Sequence, residues 1–346
     1  MADSLVEVPD YSRIDEVRPI PRLRDWSRLT SEEFSTSYAD HPVVFEGLAK
    51  QWPAYRKWNR EYLVDVIGSE TQVEVRRPLA LGSQQHQWEA KVPLGVFAEE
   101  VQTTRGLYLA EWYPYPRYPT LLADLAPVPD FLADDWLSSI PMEGFNTFHR
   151  APLYWGGAGS ATDCHFDNSN TVTWNATIKG AKRWLLFSGR KFPEPTWERK
   201  RASQRLIRTG LASSTNHTAK FSGFVTVDGI EKYVAGKLTD LPEDLVFYTA
   251  DIAAGDLIYV PWRWFHQVHN VRESVAVSRY YVSRENYLAY LTFRRDISRA
   301  STMALRLLIG SDRARKVVGS APARRIVSTG VGKALFSRAL RLAQIN

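Results

Sequence analysis

The chain has 346 residues, 44% hydrophobic and 24% charged, with a net charge of +6; this composition is ordinary for a soluble globular protein of one or two domains. Its single cysteine, Cys164, excludes an intramolecular disulfide, and the lack of any run of 18 apolar residues predicts no membrane span. The N-terminal segment is acidic, contains prolines and lacks an apolar core, so we expect no signal peptide and a cytoplasmic protein.

The region up to about residue 144 is predicted to combine helices with a few strands. Thr30 or Ser31 is a candidate N-cap of the first helix, because Glu33 lies in the first turn that follows. Residues 58–68 have a helical period and end at a glycine. The other elements predicted here are strands at 41–48, 71–77 and 105–112 and a short helix near 120–125.

From about residue 145 the pattern changes to short apolar segments separated by Gly, Pro and Asp. This pattern is typical of an antiparallel barrel or jelly roll, so we predict a mainly β protein. Helical periodicity returns from about residue 285. The predicted strands are 146–156, 171–180, 182–188, 232–236, 245–252, 256–262, 265–271 and 274–282.

A candidate metal site begins at His165 and Asp167, which are two residues apart within the predicted β region and would point to the same face of a strand. A second segment, about a hundred residues later, supplies His266 and His269 after a Pro and aromatic corner. Two histidines and one carboxylate occupy one face of a metal and leave three positions open, which is the arrangement of non-haem Fe(II) oxygenases. The sequence thus predicts this metal centre, with either later histidine as the third ligand.

The hairpin at 171–188 adds a buried cation to this picture. Lys182 and Arg183 point to opposite faces of the second strand, so one of them faces inward among apolar residues. A buried lysine needs an anionic partner. A dicarboxylic co-substrate would provide that partner.

These three features together resemble the JmjC and cupin-like 2-oxoglutarate oxygenases, over roughly residues 35–285. Residues 41–58 resemble the family's N-terminal segment, and "GDLIYVPWRWFHQV" at 255–268 resembles its G-D/E-x-x-x-V-P-x-x-W-x-H segment. The spacing from His165 to Lys182 is most similar to that in the branch of phosphatidylserine-receptor-like lysyl hydroxylases.

The resemblance implies a double-stranded β-helix core at 145–284, an N-terminal region at 1–144 that packs on it, and a C-terminal helical, basic extension at 285–346. It implies a dioxygenase that uses Fe(II), 2-oxoglutarate and O2 to hydroxylate an unactivated C–H bond. The resemblance favours His266 over His269 as the third iron ligand, because His266 occupies the family's position after the Pro and aromatic corner. The implied iron ligands are His165, Asp167 and His266, and the implied 2-oxoglutarate residues are Lys182, Tyr108, Thr162, Asn175 and Ser278.

Two departures from that branch concern the substrate. Tyr280 replaces a usual asparagine, and residues 111–119, "EWYPYPRYP", are not a usual family string. Either the latter segment forms an aromatic and acidic wall for a cationic side chain, or its rings pack a loop onto the barrel. A protein or peptide side chain is the leading substrate; the alternatives are a small metabolite, N-demethylation, or a non-enzymatic cupin-fold binding protein.

The C-terminal region suggests partners. Residues 285–311 have an apolar helical face that either packs on the barrel or forms a homodimer. Residues 313–346 carry eight basic residues and no acidic one, a pattern that fits a solvated helix or contact with nucleic acid, an anionic surface or an acidic partner. The core lacks a nucleic-acid-binding signature, so we do not expect nucleic acid as substrate.

Overall fold

The structure is a computed structural model that describes residues 8–78, 87–135, 151–167, 170–192, 199–214, 223–286 and 289–290. Most of the predicted 285–311 helix and all of the basic segment 313–346 therefore lie outside the described residues. Within the described ranges, no helix has both the length and the apolar character needed to cross a membrane.

The described residues form sixteen strands and eight α-helices. The strands are β1 (Arg18–Pro19), β2 (Arg22–Leu23), β3 (Val43–Phe45), β4 (Gln72–Pro78), β5 (Gln87–Pro93), β6 (Tyr108–Trp112), β7 (Leu153–Gly156), β8 (Ala161–His165), β9 (Val172–Lys179), β10 (Ala181–Ser188), β11 (Ala212–Ser214), β12 (Gly223–Val225), β13 (Phe247–Ala253), β14 (Leu257–Val260), β15 (Trp264–Asn270) and β16 (Ser274–Tyr281). The helices are α1 (Ser31–Ser37), α2 (Pro53–Lys57), α3 (Arg60–Ile67), α4 (Leu94–Glu100), α5 (Pro119–Ala123), α6 (Asp130–Ala133), α7 (Arg199–Arg208) and α8 (Val227–Val234).

Eight antiparallel strands form the two faces of a jelly roll. Strands β13, β10, β15 and β8 are neighbours in a five-stranded sheet, and β14, β9, β16 and β7 are neighbours in a nine-stranded sheet. Successive strands of this set alternate between the two sheets, except that β10 and β13 both lie in the smaller one, as in a double-stranded β-helix. The predicted fold class is confirmed.

The N-terminal region extends both sheets as well as packing helices on them. Strand β1 pairs with β13 at the edge of the smaller sheet, and β3 joins β14 in the larger one. At the opposite edge of the larger sheet, β6 pairs with β7 and is followed by β4 and β5. The proposed division at residues 144 and 284 stays a prediction.

Three apolar layers hold the sheets and helices together. Residues such as Leu186 and Ile258 fill the space between the sheets. Helices α1 to α6 cover the outer face of the larger sheet, where Trp58 and Trp155 are buried. The N-terminal Tyr11 and helices α7 and α8 cover the outer face of the smaller sheet. Both sheets are therefore buried on two sides, which is why their strands read as nearly continuous apolar runs.

One predicted strand is wrong. Residues 232–236 lie at the end of α8 and in the turn after it. The helix begins after Thr226, which caps it by accepting a hydrogen bond from the backbone N–H of Gly229. Ile230 and Tyr233 are three residues apart and both pack on the smaller sheet. The apolar period is therefore helical, and a window of five residues was too short to reveal it.

Candidate metal and co-substrate site

His165, Asp167 and His266 meet inside the jelly roll. His165 ends β8, Asp167 follows it, and His266 lies in the adjacent strand β15, directly opposite His165. One Asp167 carboxylate oxygen lies 3.9 Å from Nε2 of His165 and 3.8 Å from Nε2 of His266. All three side chains are buried, and their candidate ligand atoms lie within 4.8 Å of one another. The cluster has the donor set that binds Fe(II) with positions left open.

Hydrogen bonds to the backbone fix the tautomers of both histidines. Nδ1 of His165 lies 2.7 Å from the carbonyl oxygen of Asp163, and Nδ1 of His266 lies 3.1 Å from that of Trp264. A carbonyl oxygen only accepts hydrogen bonds, so each Nδ1 carries the hydrogen. Each Nε2 then presents a lone pair towards the cluster, as a metal-binding histidine requires.

His269, the alternative third ligand, lies on the other face of β15. It is three residues after His266, and its ring contacts Phe224 and Gln267 on the outer side of the smaller sheet. Burial, and then the charge of Arg183, lower the pKa of His269 to about 3, so it is a neutral buried side chain. The structure therefore brings His266, and not His269, to the cluster.

An irregularity in β8 allows Thr162 and His165 to share one face. Between His266 and Val268, β15 advances two residues while β8 advances three, from His165 to Thr162. The extra residue is a β-bulge, without which positions three apart would face opposite sides. Thr162 and His165 both line the cavity.

Lys182 faces the cavity from β10 and lies at the end away from the metal cluster. Its side chain is 1% exposed, and its ammonium donates a hydrogen bond to Oδ1 of Asn270 over 2.8 Å. Burial lowers the pKa of Lys182 to about 7. The neighbouring Arg183 points outward and forms an ion pair with Asp251. The sequence left open which of Lys182 and Arg183 faces inward, and the structure shows that Lys182 does.

A chain of hydrogen bonds fixes the orientation of the Asn270 amide. Ser160 donates its hydroxyl hydrogen to the carbonyl of Gly157 over 2.7 Å, so its oxygen accepts from Nδ2 of Asn270 over 2.6 Å. Oδ1 of Asn270 is then turned towards Lys182 and also accepts from Ser274. Asn270 was not predicted. Its position four residues after His266, on the same face of β15, was the available signal.

The other predicted co-substrate residues line the same cavity, which opens to solvent. The Tyr108 hydroxyl lies 3.5 Å from that of Thr162, and burial raises the pKa of Tyr108 to about 12, which keeps it a neutral donor. Nδ2 of Asn175 donates to the Ser278 hydroxyl over 2.8 Å. Hydroxyls and amides surrounding a lysine suit an anionic ligand.

Tyrosines and one acid form the remaining wall. The hydroxyls of Tyr154 and Tyr280 are 2.8 Å apart, and both side chains line the cavity. Glu111 also lines it, from a backbone φ of 55° at an irregular position of β6. Tyr115 is fully buried in the outer core, whereas Tyr113 is 38% exposed. Of the segment 111–119, Glu111 lines the cavity and Tyr115 packs in the outer core; the aromatic wall stays a prediction.

Comparison with known proteins gives one family and several relatives. The model of the cupin-like domain matches residues 31–287. The chain is 29% identical over 301 residues to arginine-specific demethylase JMJ22 of Arabidopsis thaliana, which covers 82% of this chain and 50% of that protein. It is 24% identical over 277 residues to the bifunctional arginine demethylase and lysyl-hydroxylase psr-1 of Caenorhabditis briggsae, covering 77% and 62%. It is 23% identical over 180 residues to the 2-oxoglutarate and iron-dependent oxygenase JMJD4 of Homo sapiens, covering 52% and 37%. The chain spans about half the length of the curated relatives it matches.

Proposed function

Because the chain belongs to the cupin-like domain family, we propose that it is an Fe(II)- and 2-oxoglutarate-dependent dioxygenase that hydroxylates an unactivated C–H bond of a protein or peptide side chain. Relatives named as iron- and 2-oxoglutarate-dependent oxygenases and as a lysyl-hydroxylase support this class of reaction. The names of these relatives agree with the JmjC-type oxygenase that the sequence resemblance predicts.

One observation carries the proposal. The candidate metal cluster and a buried lysine, with no carboxylate paired to that lysine among the described residues, lie at one cavity, which His165, His266 and Lys182 line. A 2-oxo acid has a chelating end for a metal and a second carboxylate for a cation, so it matches both ends. Neither a scaffold protein nor a simple metal-binding site needs that combination.

The residues divide the work along the cavity. His165, Asp167 and His266 would hold Fe(II), and the bound metal with 2-oxoglutarate would supply oxidative hydroxylation, with succinate and CO2 as co-products. Lys182, Tyr108 and Thr162 would bind the far carboxylate, while Asn175 and Ser278 line the same cavity. The protein's part is ligation, orientation and exclusion of bulk water.

The first experiment is anaerobic titration of the protein with Fe(II) and 2-oxoglutarate, followed by the visible charge-transfer band. We expect a band in the wild type and in His269→Ala, and none in His266→Ala. Circular dichroism of all three proteins controls for folding, because both histidines are buried. A folded wild type without a band in excess iron would contradict the oxygenase and favour the binding-protein alternative.

The substrate needs a second experiment. Succinate release would be measured with peptides and with free amino acids, and the products would be analysed by mass for a gain of oxygen or a loss of methyl. Arginine demethylases among the relatives make N-demethylation the specific second candidate. Turnover of free amino acids alone would favour the small-metabolite alternative.

The remaining proposals concern the setting of the enzyme. We keep a cytoplasmic location and a homodimer through residues 285–311 as proposals, both from the sequence. Sedimentation of the full chain would measure the oligomeric state, and a monomer at all concentrations would contradict the dimer. Fluorescence microscopy of the tagged full chain would test the location.

A further inference from the structure

Trp184, in the middle of β10, carries a polar group for which the site described above has no use. Its ring lines the cavity, and its side chain is 3% exposed. Its indole N–H is buried and has no hydrogen-bond partner among the described residues. A buried donor without a partner is unfavourable, so a cavity-lining one indicates a ligand that accepts a hydrogen bond.

The position of Trp184 shows which end of a ligand it can reach. Its ring stacks on the imidazole of His266, with centroids 5.7 Å apart and planes at 29°. Lys182 is two residues earlier on the same face of β10, which is a separation of about 6.8 Å along the strand. One strand therefore presents a donor beside the metal cluster and a cation at the far end.

We propose that the Trp184 indole N–H donates a hydrogen bond to the metal-side carboxylate of the 2-oxo acid, while Lys182 binds its other carboxylate. This inference rests on the proposed function. The span between the two groups along β10 is comparable with that of a five-carbon dicarboxylate. A hydrogen bond to a charged acceptor is stronger than one between neutral groups.

The second unpaired cavity atom supports the choice of Trp184. Oδ1 of Asn175 also lines the cavity and is buried without a hydrogen-bond partner in the described part of the chain, but it is an acceptor and would repel a carboxylate. The Asn175 amide can turn over, because the Ser278 hydroxyl both donates and accepts. An indole has no such alternative. The indole nitrogen of Trp184 is therefore a hydrogen-bond donor in every orientation of the ring.

The test compares Trp184→Phe, which keeps a stacking ring, with a matched variant. Trp264→Phe removes another buried indole N–H, one that has no partner within the ranges that the structure describes and that lies in the same core between the sheets but away from the cavity lining. Calorimetry would measure binding of 2-oxoglutarate and of 2-oxopentanoate, which lacks the far carboxylate, to the Mn(II)-loaded proteins. We expect Trp184→Phe to weaken both ligands by about tenfold or more, and Trp264→Phe to weaken neither.

Lys182→Met tests the far end of the ligand alone. It should weaken the binding of 2-oxoglutarate and leave the binding of 2-oxopentanoate unchanged. Wild-type affinity in Trp184→Phe, or a loss seen only with 2-oxoglutarate, would overturn the assignment. A wild type that binds neither ligand with metal present would overturn the proposed function as well.

A measurement on the wild type covers the case in which Trp184→Phe does not fold. With ¹⁵N-labelled tryptophan and Zn(II) in the site, 2-oxopentanoate should move one indole N–H resonance downfield. If 2-oxopentanoate at saturating concentration shifts no indole resonance, the proposal is overturned.

Discussion

The buried ammonium of Lys182 donates a hydrogen bond to the side-chain oxygen of Asn270 and forms no ion pair within the described residues. The pKa of Lys182 is lowered to about 7 because burial disfavours the charged form. A dicarboxylate that binds here would restore the charge. Proton uptake and co-substrate binding are therefore expected to be coupled near neutral pH.

The first prediction is the pH dependence of 2-oxoglutarate binding. Above pH 7 the ligand-free lysine is neutral, so binding must take up a proton, and the Kd should rise by up to about tenfold per pH unit. Calorimetry of the Mn(II)-loaded protein between pH 6.5 and 9, in buffers of different ionisation enthalpy, measures both quantities. Lys179→Met is the control, because Lys179 belongs to the same hairpin but donates to the Tyr55 carbonyl. A flat Kd in the wild type would contradict the coupling.

The same lysine should make the stability of the ligand-free protein depend on pH. Its folded pKa of about 7 lies below the ordinary value of 10.5, so between these values the unfolded chain binds more protons than the native one. The contribution of Lys182 to the free energy of unfolding therefore rises with pH in this window, by up to about 1.4 kcal/mol per unit. Urea unfolding at pH 7 and 9 would show Lys182→Met to be more stable than the wild type, with a smaller difference at pH 9. An equal difference at both pH values would argue against a shifted lysine.

Replacing the partner of Lys182 tests the role of Asn270. Asn270→Asp places a carboxylate against the ammonium, which should raise the pKa of Lys182 and compete with 2-oxoglutarate. We expect binding about tenfold weaker or more, with a Kd that no longer changes between pH 7 and 9. Ser274→Ala, which removes a hydrogen bond to the same amide oxygen without adding charge, is the control. Unchanged binding in Asn270→Asp would show that Lys182 does not anchor the ligand.

A glycine in β7 leaves room for this network. A Cβ on Gly156 would lie closer to the Asn270 amide and the Ser160 hydroxyl than two atoms can approach, and 2.8 Å from the ring of Tyr108. Gly156→Ala should therefore destabilise the fold by about 1–3 kcal/mol and displace Asn270, with loss of 2-oxoglutarate affinity. Gly95→Ala is the control, because its Cβ would meet Ser69 at 3.1 Å, away from the cavity. Urea unfolding and calorimetry measure the two effects, and wild-type affinity in a folded Gly156→Ala would contradict the displacement.

Local spacing was enough to predict several features. The capping box at the start of α1, where Thr30 caps the helix and Glu33 reciprocates, follows from four adjacent residues. The pairing of His165 with Asp167 needed only their spacing and the strand context. The inward position of Lys182 was one of two options, and the structure decides it by burying Lys182 at the cavity.

Features that depend on pairing between distant segments could not be predicted. The bulge in β8 exists because β15 runs beside it, and the sequence of β8 does not reveal it; only the family resemblance placed Thr162 in the site. Strands β1 and β2 are two residues long and owe their form to β13 and β3. Asn270 acquires its role from Lys182, 88 residues earlier in the chain.

The last prediction concerns the charge of the substrate. Glu111 lines the cavity with a side chain that is 46% exposed, and its carboxylate lies 3.9 Å from the guanidinium of Arg76. The surrounding wall contains Tyr154 and Tyr280. An acid among aromatic rings at an open cavity favours a cationic side chain.

Glu111→Gln should therefore lower kcat/KM for peptides with a central Lys or Arg by about fivefold, as expected for an exposed charge pair, and leave 2-oxoglutarate binding unchanged. Peptides in which norleucine replaces the central Lys or Arg should show no loss of kcat/KM. Glu100→Gln is the matched control. Glu100 pairs with Arg77, the neighbour of Arg76 on β4, and does not line the cavity. Equal losses for cationic and neutral peptides would mean that Glu111 supports the loop and does not select the substrate.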